Sequence, residues 1–269
     1  MDGPGAYICL TRWVHSRSAS NEDVCTLVLA WQVFEETPIA VVAHREEQTD
    51  RRSEPPHRWE GSPAVVAPRD VEAGGTWIGY NERRVFVGIT NRWGPVDGEP
   101  TGRSRGLLVR DALGEESAEA ARDRVRAALA ADTYEPFHLV VADEQEATVL
   151  VYDGTGRTEP LAPGVHVVVN VGLDGRYDRP PGRPVEGAAQ ATSADAVLEA
   201  IQPRPSEGAA EWTNRCRTLL ADHTYGRCIH EDGFGTRSGT VLRLGERGTV
   251  EHAPGPPCET GYRVQETPF

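Results

Sequence analysis

The run Cys25-Thr26-Leu27-Val28-Leu29-Ala30-Trp31-Gln32-Val33 is mostly apolar and β-branched, and it reads as a buried strand that opens on a cysteine. A second apolar strand, Ile39 to Ala43, comes next and leads straight into His44-Arg45-Glu46-Glu47. A thiol at the head of one strand and a guanidinium with two carboxylates at the end of its neighbour can form one site. Taken alone, the same cysteine reads better as an ordinary buried thiol, since free Cys is among the most buried residue types.

The chain has 269 residues, enough to bury a sizeable core as one large domain or two small ones. A net charge of −13 argues against nucleic acid or an anionic membrane as the main partner. Every basic residue is arginine, and the acidic, lysine-free composition fits a GC-rich genome and a halophile-like, high-salt cytosol. Cysteines 9, 25, 216, 228 and 258 are odd in number and contain no Cys-x-x-Cys pair. That spacing argues against a disulfide framework or zinc ribbon and for a reducing, cytoplasmic setting. No apolar run reaches membrane-spanning length, and residues 1–24 lack the apolar core of a secretory signal.

Residues 1–24 are polar and patternless, unlike the strand-forming run that begins at Cys25. Three readings stand side by side: Val24 marks a GTG start codon, residues 1–24 are a propeptide cut before Cys25, or they are an ordinary tail. From Cys25 to Asn91 the pattern is β-rich, with a polar loop expected over Thr49 to Pro63 and a turn at Gly74-Gly75. Helical spacing covers Ser104 to Leu113 and Glu115 to Ala131, with Ser117 as a cap for the second. Phe137 to Ala142, Ala147 to Tyr152 and Val165 to Val169 read as strands. Residues 178–192 and 202–209 read as loops, Ser193 to Ile201 and Glu211 to Asp222 as helices. Strands at Gly239 to Leu244 and Thr249 to His252 complete a segregated α+β order. Residues 25–269 therefore form a single domain in this reading.

Several blocks in fixed order resemble one family. They are Cys25-Thr26-Leu27 with Trp31-Gln32-Val33, Ala43-His44-Arg45-Glu46-Glu47, Arg69-Asp70 with Ala73-Gly74-Gly75-Thr76-Trp77-Ile78-Gly79, and Thr90-Asn91. Ser104-Arg105-Gly106-Leu107-Leu108-Val109, Asn170-Val171-Gly172-Leu173-Asp174 and Gly235-Thr236-Arg237-Ser238 extend the match to nearly the whole chain after residue 24. The pattern is similar to the NRDE family, also called transport and Golgi organisation 2-like. The family's name motif, Asn-Arg-Asp-Glu, stands here as His44-Arg45-Glu46-Glu47. Arginine and the last glutamate are kept, Asp becomes Glu, and His replaces the amide.

The resemblance implies a four-layer αββα sandwich of the N-terminal-nucleophile (Ntn) hydrolase type. It also implies a cysteine hydrolase that cleaves a linear amide through an acyl-enzyme at Cys25. By motif position its catalytic set is Cys25, Arg45, Glu46, Glu47, Asn91, Asn170 and Arg237, with Gly75, Trp77 and His44 against the substrate. An N-terminal cysteine supplies both parts of such chemistry, a nucleophilic thiol and an α-amine of reference pKa about 7.7–8.0 to take its proton. Arg45 favours the thiolate, and either asparagine can donate to a developing oxyanion or simply end a strand. If the strand geometry persists to its end, Arg45 and Glu47 share one face and Glu46 the other. A turn there breaks the alternation, so both carboxylates stay candidates, one orienting the amine or arginine and the other a strand-end cap. Arg237 can polarise the nucleophile's surroundings or hold a substrate carboxylate. No metal or cofactor is needed. Under the alternative, a non-catalytic binding protein of the same fold holds a haem-like or lipid ligand, with His44 available as an axial ligand, although His44 reads better as a surface strand-end histidine.

Three further groups read as structural. Cys216, Cys228 and His230 fit no standard zinc spacing and are expected as packing residues. His138 and His166 are expected as satisfied core histidines. The Arg/Glu-rich run 115–126 is expected as a solvated helix face.

Overall fold

Alternation along the opening strand sets the layering. A computed structural model describes residues 25–94, 102–178, 180–266 and 269; the readings of residues 1–24 fall outside the described residues. In chain order the elements are β1 (Thr26–Phe34), β2 (Thr37–Gln48), β3 (Ser53–Trp59), β4 (Val65–Asp70), β5 (Ile78–Asn81), β6 (Phe86–Asn91), α1 (Arg105–Ala112), α2 (Ala118–Ala131), β7 (Phe137–Ala142), β8 (Ala147–Tyr152), β9 (Gly156–Pro160) and β10 (Gly164–Val169). They continue with β11 (Gly172–Leu173), β12 (Arg176–Tyr177), α3 (Pro184–Ala200), α4 (Ala209–Ala221), β13 (His230–Glu231), β14 (Phe234–Leu244), β15 (Gly248–Ala253) and β16 (Arg263–Gln265). A single 3₁₀ turn, His223–Tyr225, links α4 to β13.

The strands form two antiparallel sheets. One runs β12-β11-β10-β1-β2-β14-β15-β16 with β13 added beside β14, and the other runs from β3 to β9 in sequence order. Leu27, Leu29 and Trp31 of β1, with Ile39 and Val41 of β2, pack against Val66, Ile78, Tyr80, Phe86 and Val140 of the second sheet. The alternate residues Val28, Ala30, Ala40 and Val42 face the other way, onto Val197 of α3, Ile201 just after it, and Trp212 and Leu220 of α4. On the outer face of the second sheet, Val87, Leu139 and Val141 pack on Leu108, Ala112 and Val125 of α1 and α2. The result is helix, sheet, sheet, helix: the αββα sandwich. Each fully buried Val, Leu or Ile in these layers stabilises by roughly 1.5–3 kcal/mol relative to exposure. The Trp31 indole N–H donates to the Asp143 carbonyl at 2.8 Å and ties the sheets together across their interface.

Ser117 accepts from Ala120 N–H and caps α2 as expected, while Ser104, read as the first helical residue, instead accepts from Gly106 N–H as the cap of α1. Two expected loops are instead regular structure. Ser53–Trp59 is a strand despite Pro55 and Pro56, because it is the edge of its sheet and pairs only with β4, across a register shift. Residues 184–192 belong to α3, which begins at Pro184 where a helix has no use for the missing N–H. No helix among the described residues is long and apolar enough to cross a membrane.

Candidate functional site

Where β1 begins and β2 ends, the two sheets part around a cavity of about 110 Å³. Cys25 just before β1 with Ala43 and Arg45 of β2 line it from one side, Trp77 just before β5 with Asn91 of β6 from the other, and Arg105 from the start of α1. The β1–β2 register pairs Thr26 with His44, which brings the strand opening on Cys25 alongside the Arg45 end of its neighbour.

Arg45 sits on the inter-sheet face and is 6 % exposed. One guanidinium nitrogen donates to Glu47 and to Asp70, each at 3.4 Å, and the group lies 4.3 Å from the centroid of the Trp77 ring. Burial lowers the guanidinium from its ordinary value, while Glu47, Asp70 and Cys25 oppose that shift. Burial also pushes the Asp70 carboxyl up. The Ala73 N–H and the Arg51 guanidinium, 2.8 Å away, outweigh it and hold Asp70 below the usual carboxylate range.

Asn170, fully buried at the end of β10, reaches the same cysteine from the other side of β1. Its side-chain oxygen accepts from the Cys25 backbone N–H at 2.8 Å and from the Gln190 amide at 3.0 Å. The Asn170 amide N–H₂ donates to the Asn91 carbonyl at 2.9 Å, and Gln190 in turn accepts from Val171 N–H. These partners fix which end of the Asn170 amide faces Cys25. Asn91 thus contributes its backbone carbonyl to the arrangement and lines the cavity besides.

Glu46 and His44 project to the opposite face of β2. Glu46 accepts from the Thr236 hydroxyl at 3.0 Å, and burial pushes its carboxyl up to about 8. His44 donates Nδ1–H to the Arg227 carbonyl at 2.8 Å, and burial lowers its pKa to about 4, leaving a neutral ring. Arg227, buried and lowered to about 10 by that burial, donates to the Thr26 hydroxyl at 3.4 Å. The sheet therefore separates the name motif into two environments. All four residues line the cavity, but Arg45 turns its side chain to Glu47, Asp70 and Trp77, whereas His44 and Glu46 bond Arg227 and Thr236 in a separate buried polar layer.

The remaining expected residues divide similarly. Gly75 shapes the rim: a Cβ there would meet the Gly106 carbonyl carbon at 2.4 Å, so only glycine lets this loop approach the start of α1. Thr76 N–H then donates to the Gly106 carbonyl at 3.1 Å. Arg237 is the extra residue of a bulge on β14, between Thr236 opposite Glu46 and Ser238 opposite Arg45. It is half-buried, with a buried Nε that has no hydrogen-bond partner among the described residues, and it is not part of the cavity wall.

Asp70, Arg51, Gln190 and Arg227 are site residues that the sequence alone does not single out. Asp70 carries a signal, its place in the Arg69-Asp70 block, whereas Gln190 lies in a stretch whose composition reads as a loop. Of the two core histidines, His166 bonds both Asp174 and the Ala162 carbonyl, while His138 Nδ1 is buried without a partner among the described residues. In the run 115–126, Arg122 pairs with Glu119 one turn back and with Glu146 beyond the helix.

Comparison with known proteins places this geometry. The Transport and Golgi organization 2 homolog of Mus musculus is 28 % identical over 144 residues, 51 % of each chain, so the chain spans about half the length of the curated relative it matches. A Caenorhabditis elegans N-acylethanolamine-hydrolyzing acid amidase ortholog superposes with a TM-score of 0.53 at 13 % identity, covering 81 % of this chain and 92 % of that one. Penicillin V acylase from Agrobacterium tumefaciens gives a TM-score of 0.46 at 14 % identity, covering 86 % and 83 %. The fold is that of the Ntn hydrolases. The sequence profile of the Transport and Golgi organisation 2 family matches residues 24–253, and the chain belongs to that family.

Proposed function

We propose that this protein is a cysteine amidohydrolase that cleaves a linear amide through an acyl-enzyme at Cys25, with Cys25 as the mature amino terminus. One observation carries the reading: the Cys25 nitrogen is held at 2.8 Å by a buried side chain that is itself fixed by two further hydrogen bonds, to the Asn91 carbonyl and from the Gln190 amide. A nitrogen that must take a proton from its own thiol needs a fixed orientation, and Asn170 gives it one.

In the reaction, the free α-amine accepts the Cys25 thiol proton as the sulfur attacks the amide carbonyl carbon. Arg45, at the cavity wall, stabilises the negative charge on sulfur and then on the tetrahedral oxygen. Collapse breaks the C–N bond, and the ammonium returns the proton to the leaving amine. Water, deprotonated by the same amine, attacks the thioester and releases the acid. Glu47 and Asp70 keep the guanidinium in place and act as positioning residues. The small cavity suits the reacting end of a substrate whose remainder lies outside it.

The test is hydrolysis of a panel of N-acyl amides by protein produced to begin at Cys25, against Cys25→Ala and against the form retaining residues 1–24. Turnover by the first alone is expected. Equal turnover by Cys25→Ala would overturn the reading.

A further inference from the structure

Two cysteines and two histidines from three separate segments converge beside β13, in a place the hydrolase reading does not use. His223 lies in the 3₁₀ turn after α4, Cys228 and His230 lead into β13, and Cys258 comes from the turn after β15. One ligand atom from each falls within 4.8 Å of all the others. The Cys228 and Cys258 sulfurs are 3.4 Å apart, His230 Nε2 is 3.0 Å from Cys258 Sγ and 3.7 Å from Cys228 Sγ. The His223 and His230 rings meet edge to face at 5.3 Å.

We propose that His223, Cys228, His230 and Cys258 form a structural zinc site. Bond lengths of about 2.3 Å to sulfur and 2.0–2.1 Å to nitrogen give a tetrahedron with edges of roughly 3.3–3.8 Å, and the three separations above fall in or close to that range. Two soft sulfurs with two imidazoles select zinc over hard cations. His230 turns Nε2 toward the sulfurs, and the Glu259 carboxylate lies 3.9 Å from its Nδ1, beyond a hydrogen bond but placed to close on the ring as an outer partner once a metal holds it. Binding displaces two thiol protons to solvent and leaves both imidazoles neutral. With four protein ligands the shell is closed, so the metal braces and does not catalyse.

The site escapes a reading of the sequence because Cys258 stands 30 residues from Cys228, beyond any local motif. Cys216, the cysteine nearer in sequence, lies instead in the α4 core, where burial pushes its thiol up to about 12. Bracing this corner has a defined consequence. The Arg227 carbonyl holds His44, and Ile229 N–H donates to Thr236, which donates to Glu46. A metal that joins the three segments fixes the wall behind the name-motif strand.

The test is metal content of the full chain, reduced, reconstituted with zinc(II) and dialysed into chelator-free buffer. One zinc per chain is expected, and cobalt(II) in its place should give thiolate charge-transfer bands with intense tetrahedral visible bands. Cys258→Ser and His223→Ala, both at exposed positions, should drop zinc to background while circular dichroism stays unchanged. Glu259→Gln should weaken zinc about tenfold in chelator competition. Zinc at background in the reduced wild-type chain, or a full complement in Cys258→Ser, would overturn the proposal. So would a Cys228–Cys258 disulfide in the isolated protein with no zinc uptake after reduction.

Discussion

The backbone nitrogen of Cys25 and the side-chain oxygen of Asn170 meet at 2.8 Å across 145 residues of sequence. β1 and β10 are hydrogen-bonded neighbours, with Thr26 opposite Val169. The residue before one strand therefore faces the residue after the other.

Replacing Asn170 by Ala should destabilise the fold as well as the site. It removes three hydrogen bonds and leaves the Gln190 amide buried without its acceptor. The expected loss is about 1–3 kcal/mol in urea unfolding, with amide hydrolysis falling more than stability explains. Activity that survives unchanged would remove Asn170 from the site.

Arg45 offers a second check. Replacing it by Met keeps its length and removes the cation beside Cys25 that Glu47 and Asp70 hold. Alkylation of Cys25 by iodoacetamide at neutral pH, followed by peptide mapping, should slow about tenfold or more. An equal rate would show that Arg45 leaves the thiol untouched.

The buried carboxyl on the opposite face predicts a pH dependence. Burial raises the Glu46 pKa from its ordinary 4.5 to about 8, so between those pH values the folded chain holds a proton that the unfolded chain has lost. Stability from this group is full below the lower value and declines as pH rises toward the upper one. His44 works the other way, its pKa lowered from 6.5 to about 4, and its effect is complete above the higher of those values. From near neutrality to pH 8 the Glu46 contribution therefore stands without that opposition. Glu46→Gln should flatten the decline there, by up to about 1.4 kcal/mol per pH unit. Parallel stability curves for the two proteins in chemical denaturation would contradict a neutral Glu46.

At the rim, Gly75→Ala places a methyl group against the Gly106 backbone at 2.4 Å. The loop and α1 must separate, at a cost of about 1–3 kcal/mol. A lowered melting temperature with poorer substrate saturation is expected. An unchanged melting temperature would mean that the two segments are not in the contact described.

Much of this is legible in the sequence because it is local. Alternation in Cys25–Val33 and Ile39–Ala43 gives the two-faced sheet, and it correctly puts Arg45 with Glu47 and Glu46 apart from them. What escapes depends on distant partners. Pro55 and Pro56 read as a loop because a sequence does not show which strand will be an edge. Residues 184–192 read as a loop because Pro, Gly and Ala mask a helix whose packing surface is supplied by β10 and Val171. Asn170 reads as an oxyanion donor or a turn residue, whereas its oxygen holds the Cys25 nitrogen.

The intact mass of the chain isolated from its native host bears most closely on the role of Cys25. A mature protein that begins at Cys25 is expected, with the nitrogen beside Asn170 a free amine. An active protein in which Val24 and the residues before it remain attached would contradict that role.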